Sequence, residues 1–247
     1  MAIFKYREIN KSEYLDNHPY PHIELDNLWD EEFIKSCAED VLDFTKWQGE
    51  KKFYGSEKKR YSNRYDDFPS NIKKIIDEAY SIKFLNWLKK FTGEEVILPD
   101  PFLVGGGIHS TIRGGFLKVH SDFNWNKQLS LFRKLNLLIY LNKNWNDKWG
   151  GQLELWSKNV KKCEKKISPL INKTVIFSTT DISYHGHPDP LNCPDNIQRN
   201  SIALYYYSPI KPKVFYYERD DTSYKERKVD NFNLPSLFSR ILKKIRH

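Results

Sequence analysis

The sequence predicts a mainly β protein with helices packed against a sandwich or barrel. Three observations lead there. Two stretches within the first 95 residues repeat apolar side chains at helical spacing. From about residue 102 onward, short β-prone runs follow one another, separated by turn signals. Helices come first and strands after, the order expected when helices are segregated to one side of a sheet. The 247 residues include 15% aromatics, ample for one core. The chain is read as a single domain, 1–247, in which 1–95 is a helical support, 96–210 a β-rich core and 211–247 a basic extension.

Residues 1–25 are aromatic and mixed, without a clear period. Residues 26–44 read as a helix, with Leu28, Phe33, Ile34, Cys37, Val41, Leu42 and Phe44 near helical spacing and Asp30, Glu31 and Glu32 in the first turn, where the helix dipole favours negative charge. Residues 48–69 carry Lys51, Lys52, Lys58, Lys59, Arg60 and Arg64 and read as a polar loop, able to serve as a lid near a site. A second helix is predicted over 71–91, with Ser70 as N-cap and Gly93 as its stop. Pro99 and Pro101 mark a boundary. The β-prone runs are 102–108, 116–120, 134–141, 151–156, 174–177 and 201–207. A short amphipathic helix is predicted over 235–245, with Leu237, Phe238, Ile241, Leu242 and Ile245 on one stripe.

Composition narrows the function classes. No run of 18 apolar residues exists, so no membrane helix is expected. The N-terminal residues show no secretory signal. Cys37, Cys163 and Cys193 are odd in number and widely spaced, which argues against both a disulfide frame and a zinc knuckle and makes the cytoplasm the expected compartment. Net charge is +8, and residues 211–247 hold ten Lys/Arg against five Asp/Glu. A solvated basic helix face explains that excess more simply than nucleic acid, for which no motif is present.

The most informative feature is His120-Ser121-Asp122. Residues i and i+2 of a strand share a face, so one imidazole and one carboxylate can aim at a single point. A histidine from a distant strand would complete two His and one carboxylate, the donor set of non-haem Fe(II) oxygenases. His185 follows the buried-strand run 174–177 and is the first candidate; His187 competes, because Gly186 lets either side chain turn inward, and His109 lies close enough in sequence to a strand end to reach the site. His18, His22 and His247 are not expected to bind metal.

Residues 102–208 resemble the catalytic core of the prolyl-4-hydroxylase-like branch of 2-oxoglutarate/Fe(II) dioxygenases, and bacterial and phage-type members in particular. The likeness rests on residues 115–122, 133–145, 150–155 and 177–185, and on the run from Arg199 to Tyr207. It implies a double-stranded β-helix, or jelly roll, with Fe(II) held by His120, Asp122 and His185, which are then the catalytic residues. It implies 2-oxoglutarate as co-substrate, its far carboxylate on Arg199 and Tyr140, with Ser201, Asn136 and Leu138 lining the same pocket. O2 would be the oxidant, with ascorbate in a supporting role. Arg133 matches a position at the site mouth; Arg113, Trp125, Trp156 and Lys118 lie near the motif strands and are candidate substrate contacts. The fourteen positions from His185 to Arg199 exceed the usual gap, and the excess, rich in turn formers, reads as an inserted loop.

The expected activity is hydroxylation of a C–H bond in a prolyl or other amino-acid residue of a peptide or protein. The alternatives are the same chemistry on a small metabolite or sugar-linked molecule, a cupin-type metal site using His185 and His187, and a non-catalytic jelly-roll binding module. The last would be expected to have lost a ligand or the cofactor cation, and this chain keeps all four.

Overall fold

A computed structural model describes residues 3–227 and 230; the helix predicted over 235–245 lies outside them. A single helical turn, α1 (Ser12–Leu15), precedes β1 (His22–Asp26). Asp30 caps α2 (Glu31–Leu42) by accepting from the Phe33 N–H, and Glu31 and Glu32 sit in the first turn. The helix is shorter than the predicted 26–44: Asp26 ends β1, Asp30 is the N-cap, and the last helical residue is Leu42.

The segment predicted to be a polar loop is instead a hairpin, β2 (Gly49–Phe53) and β3 (Ser56–Ser62). Lys and Glu are poor strand formers, but here tertiary pairing overrides propensity: β3 runs along the core strand β5 (Gly107–Ser121), which satisfies its backbone. The single helix predicted over 71–91 is two, α3 (Ser70–Tyr80) and α4 (Ile82–Thr92). Ser81 divides them. Its backbone is extended (φ −65°, ψ 151°), and its hydroxyl accepts from the Phe84 N–H to cap α4. Pro69 rather than Ser70 stands at the N-cap of α3, and Gly93 ends α4 in the left-handed region at φ 73°, as its position in the sequence implies.

The rest is β-structure: β4 (Leu98–Pro99), the long β5, β6 (Trp125–Asn126), β7 (Leu131–Tyr140), β8 (Leu153–Trp156), β9 (Cys163–Ile167), β10 (Lys173–Ser178), β11 (His185–His187), β12 (Arg199–Ser208) and β13 (Ser223–Tyr224). Strand order is β1-β10-β7-β12-β5-β11-β8-β9, with antiparallel neighbours. The sheet curls because β5 serves both halves. Residues 107–111 pair with β12, whereas Leu117 and His120 pair with β11. The bend between them falls at Gly114, whose φ of 77° is a conformation that glycine adopts without strain. The result is the jelly roll, with helices on one outer face.

Alternation along two central strands separates support from site. Leu135, Leu137 and Ile139 of β7 and Ile202, Leu204 and Tyr206 of β12 are buried in one core with α2, α3 and α4. Between them, Asn136, Leu138 and Tyr140, and Arg199, Ser201, Ala203 and Tyr205, face the inside of the roll and line its cavity. Two hydrogen bonds tie the outer layer down: Tyr206 Oη donates to the Ala79 carbonyl at 3.0 Å, and Trp29 Nε1 donates to Thr174 Oγ1 at 3.0 Å. Leu137 is fully buried at the centre of this contact. Leu137→Ala is expected to destabilise the fold by roughly 2–5 kcal/mol, read as a lowered urea midpoint with an unchanged slope.

Candidate metal centre and co-substrate pocket

His120 stands at the end of β5 and His185 at the start of β11, in register across the ladder, so pairing itself brings the two imidazoles together with ring centroids 4.4 Å apart. Asp122, two residues past His120, completes the group. Its Oδ1 is 3.4 Å from His120 Nε2 and its Oδ2 is 3.4 Å from His185 Nε2. The donor atoms of all three lie within 4.8 Å of one another, and all three residues are buried. Each histidine commits its other nitrogen outward: Nδ1 of His120 faces the Lys118 carbonyl at 2.8 Å, and Nδ1 of His185 the Ser183 carbonyl at 3.0 Å. A carbonyl can only accept, so each Nδ1 carries the proton and each Nε2 turns a lone pair inward, as a metal requires. His187 is not in this group: of the two candidate histidines it is His185 that the structure brings to His120 and Asp122.

Arg133 and Asn136 hold the carboxylate. Oδ2 of Asp122 accepts from Arg133 at 2.9 Å and from Asn136 Nδ2 at 2.7 Å, and Arg133 also donates to Asn136 Oδ1. The Arg133 guanidinium lies 3.4 Å from the Tyr205 ring centroid and 4.5 Å from that of Phe123. Burial opposes ionisation of Asp122, but Arg133, His185 and His120 outweigh it and hold the carboxyl well below its usual range. Burial, reinforced by His120, pushes His185 down to about 4. At neutral pH the set is therefore an ionised carboxylate with His185 neutral, the protonation a divalent metal needs. Arg133, placed at the site mouth by resemblance, is instead a fully buried counter-ion.

The triad opens into a cavity of about 110 Å³, room for several waters. Its far end is built by β7 and β12. Arg199 donates through Nε to the Gly151 carbonyl at 2.6 Å, and its NH2 lies 3.3 Å from Tyr140 Oη; Ser201 is the cross-strand neighbour of Tyr140. Among the described residues no carboxylate pairs with Arg199, whose guanidinium fork is thus available to one. Leu138 and Asn136 also line the cavity, Asn136 turned to Asp122 rather than to Arg199.

The remaining sequence candidates divide. His109 and His187 line the cavity. Arg113, Trp125 and Trp156 do not. Arg113 is exposed and bonds the Cys193 carbonyl; Trp125 packs on Phe132; Trp156 is buried with Val119, Val160 and Tyr184 and donates to Glu154. Lys118 sits over the Tyr54 ring at 3.7 Å. The insertion after His185 is packed rather than loose, with Leu191 and Cys193 buried against Trp145. Sequence reading missed Lys51 and Lys59 from the hairpin, and Thr222 and Tyr224 from the segment after β12, all of which line the cavity. The paired lysines of a strand hairpin were visible in the sequence as a charge run, but nothing local said that one face turned inward. β13 pairs with β5 so that Tyr224 stands opposite His120, their rings 5.5 Å apart, and Arg219 anchors this strap on Ser121 and Asp122.

Comparison with known proteins agrees with this geometry. Residues 106–207 match the 2OG-Fe(II) oxygenase superfamily. No curated protein sequence matches. Among solved structures, a prolyl hydroxylase from Trichoplax adhaerens, in complex with a hypoxia-inducible-factor peptide, superposes with a TM-score of 0.55 at 16% identity, covering 75% of this chain and 83% of that one. A Pseudomonas putida prolyl-4-hydroxylase gives 0.53 at 13%, covering 80% and 97%. HygX from Streptomyces hygroscopicus, with nickel, 2-oxoglutarate and hygromycin B bound, gives 0.54 at 9%, covering 81% and 93%. At these identities the structures establish the fold, while the family match identifies an enzyme that uses Fe(II) and 2-oxoglutarate.

Two measurements probe the electrostatics. Arg133→Met strands a buried carboxylate and is expected to cost roughly 3–5 kcal/mol in denaturant unfolding of the metal-free protein. The lowered pKa of His185 means that the unfolded chain takes up this proton first, near pH 6.5, and the native state only near pH 4. Stability of the metal-free protein is therefore expected to fall as pH drops through that window, and to fall less steeply in His185→Gln.

Proposed function

We propose that this oxygenase hydroxylates an unactivated C–H bond, with Fe(II) held by His120, Asp122 and His185 and 2-oxoglutarate seated against Arg199 and Tyr140. The observation that carries the reading is that both ends of one cavity are prepared: Nε2 lone pairs and a carboxylate converge at one, and an arginine fork without a carboxylate waits at the other. Bound there, the metal would supply activation of O2, coupling conversion of 2-oxoglutarate to succinate and CO2 with oxygen insertion into the substrate.

The side chains have separable tasks. Arg133 and Asn136 fix the Asp122 carboxylate so that it faces the histidines. The Lys118 and Ser183 carbonyls fix the imidazole tautomers. Arg199 supplies a planar pair of donors to a carboxylate and Tyr140 a hydroxyl beside it, with Ser201 within the same row. Leu138, Leu153 and Ala203 make the wall between the ends apolar, which keeps water from competing there.

A small molecule fits the site better than a residue within a peptide. The hairpin and the 219–227 strap meet over the metal end: Tyr224 packs against Gly55 and Phe53, and Tyr54 hydrogen-bonds Glu226. A peptide would need an open groove where these two segments touch. The fold does not choose, since a peptide-bound hydroxylase and the hygromycin-bound HygX are both neighbours.

Anaerobic titration with Fe(II) and 2-oxoglutarate tests the reading. The charge-transfer band of the chelate is expected in the wild type and absent in His120→Ala and Asp122→Ala. Arg199→Met is expected to weaken 2-oxoglutarate binding by roughly tenfold to a hundredfold, the worth of a buried charge-assisted pair. A band that survives loss of Asp122 would overturn the ligand assignment. Succinate release against panels of peptides and of small metabolites then decides the substrate class.

A further inference from the structure

The cavity carries more positive charge than the proposed chemistry consumes. Lys51, Lys59, Arg133 and Arg199 line it, against Asp122 alone among the described acidic residues. Arg133 is spent on Asp122. Fe(II) and the 2-oxoglutarate dianion together bring no net charge, so occupancy by both leaves the excess in place.

The excess follows from strand register. Lys51 pairs with Lys59 across the hairpin, Lys59 pairs with Thr111 of β5, and Thr111 pairs with Arg199 of β12. Directly opposed residues point to the same face, so three cations stand in one row across four strands, aimed into the roll. Like charges directly opposite one another are destabilising, and Lys59 is only 8% exposed. Burial, reinforced by Lys51 and Arg199, drives its pKa well below the usual range. Neither lysine forms an ion pair with a described residue; the nearest partner of Lys51 is the Tyr61 ring at 5.6 Å. Beside the row, His187 is 4% exposed, lines the cavity, and has no hydrogen-bond partner for either ring nitrogen. A buried cation and a buried imidazole left unpaired in a native pocket are costly unless a ligand completes them.

We propose that Lys51 and Lys59, with His187 beside them, form an anion subsite distinct from the Arg199 seat, and that the molecule hydroxylated here bears a carboxylate or phosphate group bound there. The proposal rests on the oxygenase reading above and adds the chemical class of its substrate. Lys59 contributes a point charge with three donors, Lys51 closes the subsite from the half-buried edge strand, and His187 donates one N–H. Arg199 and Lys59 stand on opposite sides of β5, about 10 Å apart between backbones at ordinary strand spacing, and Arg199 is turned to the Gly151 carbonyl and Tyr140 Oη, so the two cations come to the cavity from different strands. The hairpin thereby acts as the specificity element, reading charge, while the β7–β12 face reads the co-substrate.

The test is calorimetric titration of the full chain, held anaerobically with Fe(II) and 2-oxoglutarate, with inorganic phosphate and with acetate as separate probes. At least one anion is expected to bind saturably to the wild type, and its affinity to fall by roughly tenfold in Lys59→Met and in Lys51→Met, with 2-oxoglutarate affinity held within about twofold. Phosphate binding without acetate binding identifies a phosphorylated substrate, the reverse a carboxylate. The proposal is overturned if neither anion binds the wild type, if both bind the variants as tightly, or if Lys59→Met loses 2-oxoglutarate affinity instead, which would assign Lys59 to the co-substrate seat. The oxygenase reading fails separately, through absence of the chelate band in the wild type. Anion binding to metal-free protein that is lost in Lys59→Met would then leave the subsite standing without it.

Discussion

The structure depends on keeping one carboxylate ionised inside a β-roll. Asp122 is buried, and a buried charge without a partner is too costly to persist. Arg133 meets that cost with a 2.9 Å ion pair and is in turn held between two aromatic rings and Asn136. Three strands have to agree for this to happen: β5 delivers Asp122 just past its end, β7 delivers Arg133 and Asn136, and β12 delivers Tyr205. The same agreement brings His185 on β11 opposite His120. The metal centre is therefore a consequence of sheet closure rather than an ornament on it.

The period of two on β7 and β12 explains how one sequence run supports both a core and a site. Every second side chain is apolar and faces the helices, so α2, α3 and α4 are a buttress for the strands that carry Tyr140 and Arg199. Losing the buttress would loosen the spacing between them. This links the outer helices to the geometry of the cavity without their touching it.

How much of this was legible in the sequence depends on range. His120 and Asp122 are two residues apart on one strand, and strand period alone puts them on one face. His185, Arg199 and Tyr140 needed pairings between segments far apart in the chain, which the family resemblance supplied; in the structure His185 pairs with His120, and Ser201 with Tyr140. The hairpin was illegible for a physical reason. Its charge run looks like a solvated loop, because propensity counts lysine against a strand, and only pairing along β5 overrides that. The break at Ser81 was equally hidden, since the apolar period runs on through it. Arg113, Trp125 and Trp156 misled because closeness to a motif in sequence says nothing about which face a side chain takes. Trp125 and Trp156 turned into apolar packing and Arg113 to the surface.

Access is the remaining constraint. The hairpin contributes the inward lysines, and the strap contributes Thr222 and Tyr224, so the same two segments both line and enclose the cavity. Their ties are unequal. At the candidate metal end Arg219 bonds Ser121, the Asp122 carbonyl and Asp221, and Asn124 bonds both Arg219 and Tyr217, which anchors the strap against the end of β5, beside His120 and Asp122. At the hairpin tip the closure rests on the Tyr224 ring against Gly55 and on the exposed Tyr54–Glu226 hydrogen bond. Exposed polar contacts contribute little, so the weaker seam is the one between hairpin and strap. A substrate entering there would pass the Glu226 carboxylate at the rim before the inward Lys51 and Lys59, so an anion would meet favourable charge only inside the roll. On the proposed anion subsite, recognition and entry are then one property of the hairpin.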